Sequence, residues 1–463
     1  MKSGLGAMTR TARAHHGAEP ETRSTPFWQR QARRSAVAWV DEHGLPTAKD
    51  EDWRYFPHEL LAGLTSAPAV PTDRRFGDKM RRLLGERLGS GPRLVFCNGA
   101  FRRDLSTPAA LAPGVRVTRL AWALQADDGA LRGALESVWL PYRNALEALN
   151  AIHALDGALV QLAPHSRAED PIEIVHVAVP PLDTTGAGTS LPMACTFNAV
   201  LAGSNSTCVI LERSIGIDGR PVLLNAKTLC VLDEGAAVTH DRLQDEAVSA
   251  LSLSFLTVHQ GRDSQYRSRR IGVGGRVARD EITVRLAGKG ASVELDGLFL
   301  PTGQQYHDHP IRIEHLAGDT RSRQLYKGVV DGAARGVFNG HVIVHPGADK
   351  ADAGQLNKNL LLSERAEVDT RPRLEIFADD VMCTHGAAIG HLDHDVLFYL
   401  RSRGIGLEQA RSLLTRAFAE EVVDQLESGS LRALVERRVR ERLAAPSPGG
   451  GGPGGVLGEL VST

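Results

Sequence analysis

From Asp156-Gly157 to about Ile389 the chain is a succession of short β-type runs, and this stretch limits the fold more than any other feature. The runs include IEIVHVAV (172–179), TCVILER (207–213), ITVRLAG (282–288), ASVELDGLFL (291–300) and HVIVHP (341–346). Turn signals such as Asp-Glu-Gly, Gly-Lys-Gly and Val-Asp-Gly separate them. Short β-branched runs punctuated this way predict one extended all-β unit. The 47 glycines, set against only 5% aromatic residues, fit a fold with many tight turns. No rigid repeat is visible, so a sandwich, a barrel and a β-helix all read alike at this level.

The flanks have a different period. Residues 1–24 are polar, His/Arg-rich and aperiodic, and read as a loose tail. Thr25-Pro26 predicts a helix start, because proline at the first turn has no N–H to waste. Phe27, Ala32, Ala36, Trp39 and Val40 carry that helix to about His43, where Gly44 and Pro46 stop it. A charged turn follows, then an aromatic anchor, Trp53-Arg54-Tyr55. Short helical patterns alternate with loops from Leu120 to about Ala154. After Asp395 the helical period returns. Leu407, Ala410, Leu413, Leu414, Ala417, Phe418 and Val422 form one apolar stripe; Leu431, Leu434, Val435 and Val439 form another. Both stripes must bury against something. SPGGGGPGG (447–455) reads as a flexible linker. The predicted division is a tail at 1–24, an N-terminal helical domain at 25–155, a β core at 156–394, a C-terminal helical domain at 395–445 and a Gly/Pro-rich tail at 446–463.

Several function classes are disfavoured. The net charge is −1, so no bulk field draws the chain to nucleic acid or to an anionic membrane. The five cysteines are scattered, odd in number and without CxxC, which argues against a disulfide framework or a self-contained zinc site. No apolar leader and no run of membrane-span length is present, so the expected compartment is the cytoplasm. There is no Walker A motif, so no nucleotide is expected on the chain itself, and no G-x-S-x-G or H-E-x-x-H. Gly272-Val-Gly274-Gly275 lacks the spacing of a phosphate loop.

Cys383 and His385 are the sharpest candidates for chemistry. If Val381–His385 is a strand, the thiol and the imidazole share one face. That pairing suits a soft or borderline metal such as iron, or a thiol of lowered pKa. The plainer reading is a buried cysteine beside a hydrogen-bonded histidine at a strand end. Two ligands cannot close a site, so others must come from elsewhere in the fold or from another chain. His391, Asp393 and His394 extend the cluster on paper, but an exposed loop explains them as well. His307, His309 and His315 form a second group, in which Pro310 should disturb the strand ladder. His341 and His345 read as strand-end residues, and Asp379-Asp380 is expected to point to opposite faces of a strand. Ser402-Arg403-Gly404-Ile405 predicts a sharp turn with Gly404 left-handed. That turn is either a structural corner or, with the helix after it, a docking surface.

One family likeness runs through these motifs. FADDVMCTHGAAIGHLDHDVLFYLRSRGIG (377–406) resembles, without gaps, the C-terminal signature of the SufB/SufD proteins of iron–sulfur cluster assembly. QLNKNLLLSERAEVDTRPRLEI (355–376) and LAGKGASVELDGLFLP (286–301) match the same family. GLPTAKDEDWRYF (44–56), FCNGAF (96–101) and LNAIHALDGALVQLAP (149–164) are similar to its SufD branch and not to SufB. The likeness covers about residues 26–443.

The resemblance implies a mainly β fold, a right-handed parallel β-helix flanked by N-terminal and C-terminal α-helical domains. It implies a non-catalytic subunit of a SufB–SufC–SufD scaffold. Such a subunit pairs with a SufB-like paralogue through the β-helix and docks a SufC-like ABC-type ATPase through its C-terminal helices. It also assists iron acquisition. His385 matches the SufD histidine at the SufB interface, a proposed ligand of iron or of a transient cluster shared with SufB, and Cys383 is its strand neighbour. The segment from about Phe398 to Val423 matches the ATPase-docking region, so Phe398, Arg403, Gly404, Leu413, Leu414 and Phe418 are candidate contacts. ATP-driven dimerisation of the ATPase would then open the interface by hinge motion. His391 and His394 fall where the family pattern needs no histidine. Without SufB, a homodimer is an option.

Competing readings are SufB itself, a carbohydrate-active β-helix enzyme, and a β-solenoid binding module with no metal role. The DEDWRY segment and the scarcity of cysteine argue against SufB. The absence of an acid/base pair on one strand face argues against the enzyme.

Overall fold

A computed structural model describes residues 27–68, 77–85, 87–126, 129–137, 142–154, 156–180 and 191–444. The expected N-terminal tail, the Thr25-Pro26 helix start and the Gly/Pro-rich tail lie outside the described residues. From Leu191 onward the β-type runs become strands of 8–12 residues. Consecutive strands do not pair. Alternate strands do, in parallel, and build two ten-stranded sheets. The result is a parallel β-helix of about seven turns with helices at both chain ends.

The first sheet runs from Glu367–Ile376 back through Arg335–Val344, Tyr306–His315, Val277–Leu286, Leu251–Gln260, Leu223–Leu232, Leu191–Ala202 and Ala158–Leu162 to Val115–Arg119. The second runs from Met382–Gly390 through Asp352–Leu361, Arg321–Val330, Ser292–Phe299, Gln265–Gly272, Ala237–Asp245, Thr207–Gly216 and Ile172–Ala178 to Arg93–Cys97. Register explains why no repeat shows in the sequence. Leu223 pairs with Leu251, then Val277, Tyr306, Arg335 and Glu367 follow in the same row, at steps of 26 to 32 residues. One corner nevertheless recurs. Asn205, Gly235, Asp263, Gly290, Asp319 and Lys350 all adopt positive φ (57°, 68°, 52°, 74°, 56° and 61°), a region that Asn, Asp and Gly tolerate best.

Before the last coil most strand positions are buried on both faces, so these strands do not alternate between buried and exposed residues. Inward, aliphatic columns fill the lumen: Val200, Cys230, Val258, Val284, Ile313 and Val342 stack in one row. Outward, the first sheet is covered by the helices Phe27–His43 and Ala145–His153 and by Trp53 and Phe56. The second is covered by the helices Leu407–Val423 and Gly429–Ala444, which bury the predicted Leu431, Leu434, Val435 and Val439 stripe. Each such side chain contributes about 1.5–3 kcal/mol. Residues 25–155, expected to be helical, also supply strands at Leu64–Pro68, Arg93–Cys97, Ala100–Phe101 and Val115–Arg119. RLVFC and VRVTR are too short to declare their state alone; the open sheet edges they cap decide it.

The middle of the lumen is ionic. Arg270 holds Asp280 through two hydrogen bonds, and His240 and Arg242 hold Glu212; on the outer face of the first sheet, beneath Trp53, Arg279 pairs with Asp308 and Glu281. His309 packs against Phe299 with ring centres 4.7 Å apart and tilted by 31°, and neither ring nitrogen has a partner among the described residues. Burial pushes its pKa down to about 4, with Asp280 opposing and Arg270, Arg242 and Arg279 reinforcing. The unfolded chain therefore takes this proton first, and the site loses stability as pH falls from about 6.5 through about 4. In His309→Phe the fall in urea midpoint between pH 6.5 and pH 4 should be shallower than in the wild type.

Candidate functional site

The two ends of the β-helix differ. At the first end the edges close with short strands: Val115–Arg119 lies antiparallel on Ala158–Leu162, and Arg93–Cys97 turns back on Ala100–Phe101. At the other end Glu367–Ile376 and Met382–Gly390, ten and nine residues long, have a strand neighbour on one side only. Long unpaired edges are templates for adding a strand from another chain. Ile376, Phe377 (60% exposed), Met382 (69%) and Ile389 surface there. The Leu407–Val423 and Gly429–Ala444 helices lie on the outer face of the second sheet instead.

The lumen rows finish at this open end. Cys208, Val238, Tyr266, Val293, Ser322 and Ala353 lead in register to Cys383. Ile210, His240, Ser268, Leu295, Gln324 and Gln355 lead to His385. The two predicted ligands therefore share the lumen side of the last strand. His385 is exposed, and Cys383 is half-buried against the Val344, Ala348 and Ala351 cluster. Burial pushes the Cys383 thiol up, Asp352 adds to this, and a backbone hydrogen bond from Ala353 opposes it. Metal ligation there must expel a proton. Among the described residues no three His, Cys, Asp or Glu side chains are placed to hold a metal, and Cys383 and His385 bring together two donors only.

The other histidine candidates are accounted for inside the fold. His307 Nε2 meets the Gly274 carbonyl at 2.9 Å, and His315 bonds Thr320 and Ser322 at 2.8 and 2.9 Å. Burial pushes these two down to about 3 and about 4. Pro310 does interrupt the ladder: pairing with Val277–Leu286 lapses at His309 and Pro310. His341 bonds Glu375 at 2.9 Å, His391 reaches the Leu361 carbonyl at 3.2 Å, and His345 follows its strand. His394 begins the next helix, capped by Asp393. Asp379-Asp380 is not in a strand as expected. It lies in the turn between the last two strands, where Lys350 N donates to the Asp380 carbonyl at 2.5 Å.

A contact that sequence reasoning missed ties the N-terminal anchor to this end. Asp52 accepts from Asn339 (2.9 Å), Arg373 (3.1 Å) and Arg143 (3.3 Å), and Glu51 pairs with Arg371 and Arg373 at 2.8 and 2.9 Å. Arg279 lies over the Trp53 ring at 3.8 Å. Burial works against the Asp52 charge, but Arg143, Arg373 and Arg279 outweigh it and hold the carboxyl below its ordinary value. The EDW turn is thus a strap across the last strands of the first sheet.

A family model described as "SUF system FeS cluster assembly, SufBD core domain" matches residues 185–418, half of the chain. This chain belongs to the SufBD family. It is 30% identical over 409 residues to the iron-sulfur cluster assembly protein SufD of Escherichia coli, covering 88% of this chain and 90% of that one. A SufBD family protein of Synechocystis is 29% identical over 419 residues, 88% and 89% of the two chains. Protein ABCI7, chloroplastic, of Arabidopsis thaliana is 31% identical over 298 residues, 63% and 62% of the two chains. The SufBD match takes in the open end and runs on through Phe418.

In this SufBD member the predicted helix contacts divide. Phe398 (73% exposed), Tyr399, Val396, Leu407 and Leu413 stand out from the surface. Arg403 lies 5.3 Å from the Tyr399 ring centre, and Gly404 has φ +85° as the turn requires. Leu414 and Phe418 are half-buried, and Lys327 sits 4.2 Å over the Phe418 ring while donating to its carbonyl at 2.7 Å. No helix among the described residues is long and apolar enough to cross a membrane. Asp52→Ala strips three partners from the strap and should cost about 1–3 kcal/mol. It should also speed amide exchange across Glu367–Ile376 before the rest of the sheet, as read by mass spectrometry.

Proposed function

We propose that this chain is a non-catalytic subunit of a cytoplasmic iron–sulfur cluster assembly scaffold. It pairs with a SufB-like paralogue by adding strands at the open end of the β-helix. The observation that carries this reading is the placement of Cys383 and His385 on one uncapped edge strand, Met382–Gly390, with an incomplete ligand set. A half-site on a sticky edge asks for a second chain that brings the remaining ligands. Iron, or a transient cluster, is the cargo held there. Imidazole and thiolate suit it, and the proton on the Cys383 thiol makes its capture weaken as pH falls. The exposed Phe398, Tyr399 and Leu413 surface fits a SufC-like ABC-type ATPase, whose ATP-driven dimerisation pulls on the C-terminal helices. Leu414 and Phe418 act from beneath by holding the Leu407–Val423 helix on the second sheet. The chain itself binds no nucleotide.

Tagged chain purified from cells should bring down a SufB-like subunit and an ATPase, with iron and acid-labile sulfide. His385→Ala should keep both partners and lose most of the iron. Unchanged iron would leave a binding module without a metal role, and no partners at all would sink the assembly reading. Phe398→Asp with Leu413→Asp should release the ATPase and spare the SufB-like subunit; loss of both together would count against separate docking surfaces.

A further inference from the structure

Gln355 occupies the lumen one coil beneath His385, in direct register with it. It is 4% exposed, yet neither amide atom has a hydrogen-bond partner among the described residues. Its side chain crosses the lumen, and its amide nitrogen fills the space that a side chain at Gly340 would take. Gln324, one coil deeper and 3% exposed, is unpartnered at both amide atoms too. The next inward residues of the same strand behave otherwise. Asn357 donates to the Tyr326 carbonyl at 3.0 Å, and Asn359 donates to Asn357 at 2.5 Å, leaving only the Asn359 Oδ1 unpaired among the described residues. On the other sheet Thr370 Oγ1 is likewise buried and unpaired. Buried polar atoms left unpaired are costly, and a stacked glutamine ladder would have paired these amides with each other. A local rule broken directly behind a candidate ligand points to a task.

We infer that Gln355 is a positioning residue of the Cys383–His385 half-site. Its carboxamide hydrogen-bonds a water held between the coils. That water hydrogen-bonds one ring nitrogen of His385 and leaves the other free for iron. Strand neighbours lie about 4.8 Å apart at the backbone, and one water between their side chains can hydrogen-bond both. Ligating histidines are usually fixed through their second nitrogen, and losing that partner weakens metal binding about ten- to a hundredfold. The inference rests on the reading of His385 as an iron ligand.

The test uses the full chain with 15N-labelled histidine, the His385 signals being assigned by their loss in His385→Ala. Gln355→Met keeps the length and removes both amide atoms. It should raise Tm, shift the ring 15N signals of His385 and lower the iron retained by the co-purified complex at least about tenfold. Gln324→Met, one coil deeper, should raise Tm and leave both other readouts alone. Gln355→Glu keeps an acceptor and adds a charge, so it should shift the same His385 ring signals in its own way. Unchanged ring signals in both Gln355 variants would overturn the inference and make Gln355 a packing residue. If His385→Ala retains its iron, the ligand reading fails on its own account, and the metal-free ring signals still decide the link between Gln355 and His385.

Discussion

Each coil of this β-helix takes its backbone hydrogen bonds from the coils before and after it, and the last coil has no successor. That single asymmetry organises the molecule. Upstream, short antiparallel strands close the edges: Val115–Arg119 on Ala158–Leu162, and Ala100–Phe101 on Arg93–Cys97. Downstream, two long strands stop with their outer edges bare. Proteins normally blunt such edges with short strands, bulges or charge, because an unpaired ladder recruits other chains. Here Glu367–Ile376 does carry charge and Pro372, but Met382–Gly390 carries no Lys, Arg, Asp or Glu, exposes Met382 and Ile389, and receives a thiol and an imidazole from the lumen rows.

Stacking also explains why the interior tolerates so much charge. Arg270, Asp280, Glu212 and His240 each find partners on neighbouring coils or across the lumen. A slip of one residue would turn every inward side chain outward and break these pairs together. Breaking one buried pair leaves an uncompensated charge, which is far more costly than the pair is favourable. The ionic lumen therefore opposes misregister in coils whose lengths vary from 26 to 32 residues. The strap at Glu51–Trp53 extends the same logic to the terminal coil, whose outer face has no covering helix but does have Arg371 and Arg373 to grip.

The helical layers divide the outer surface. Phe27–His43 and Ala145–His153 cover the first sheet, while Gly77–Leu84 covers the upstream part of the second and the C-terminal helices cover its later part, so none blocks the open end. Within the Leu407–Val423 helix one side is spent on the fold and the other is left over. Ala410, Ala419 and Val422 are buried, Phe418 is held by Lys327, and Leu407 and Leu413 remain outside. A single apolar stripe in the sequence thus serves two purposes, and periodicity cannot divide it.

What the sequence determined by itself was local: strand runs between turn residues, helix stripes, the left-handed turn at Gly404, the ladder break at Pro310, and the shared face of Cys383 and His385. Each depends on side chains within a few positions, where period and turn chemistry act. The β-helix itself rested on family resemblance, because uneven coil lengths hide the repeat. Tertiary structure alone decided which edge stays open, that Asp379-Asp380 is a turn, and that Arg93–Cys97 and Val115–Arg119 cap an end. It alone brought Glu51 and Asp52 to Arg371 and Arg373, about 320 residues away. It alone placed Gln355 behind His385. Contacts between coils join residues some thirty positions apart at irregular spacing, and only the closed geometry of the helix sets which of them meet.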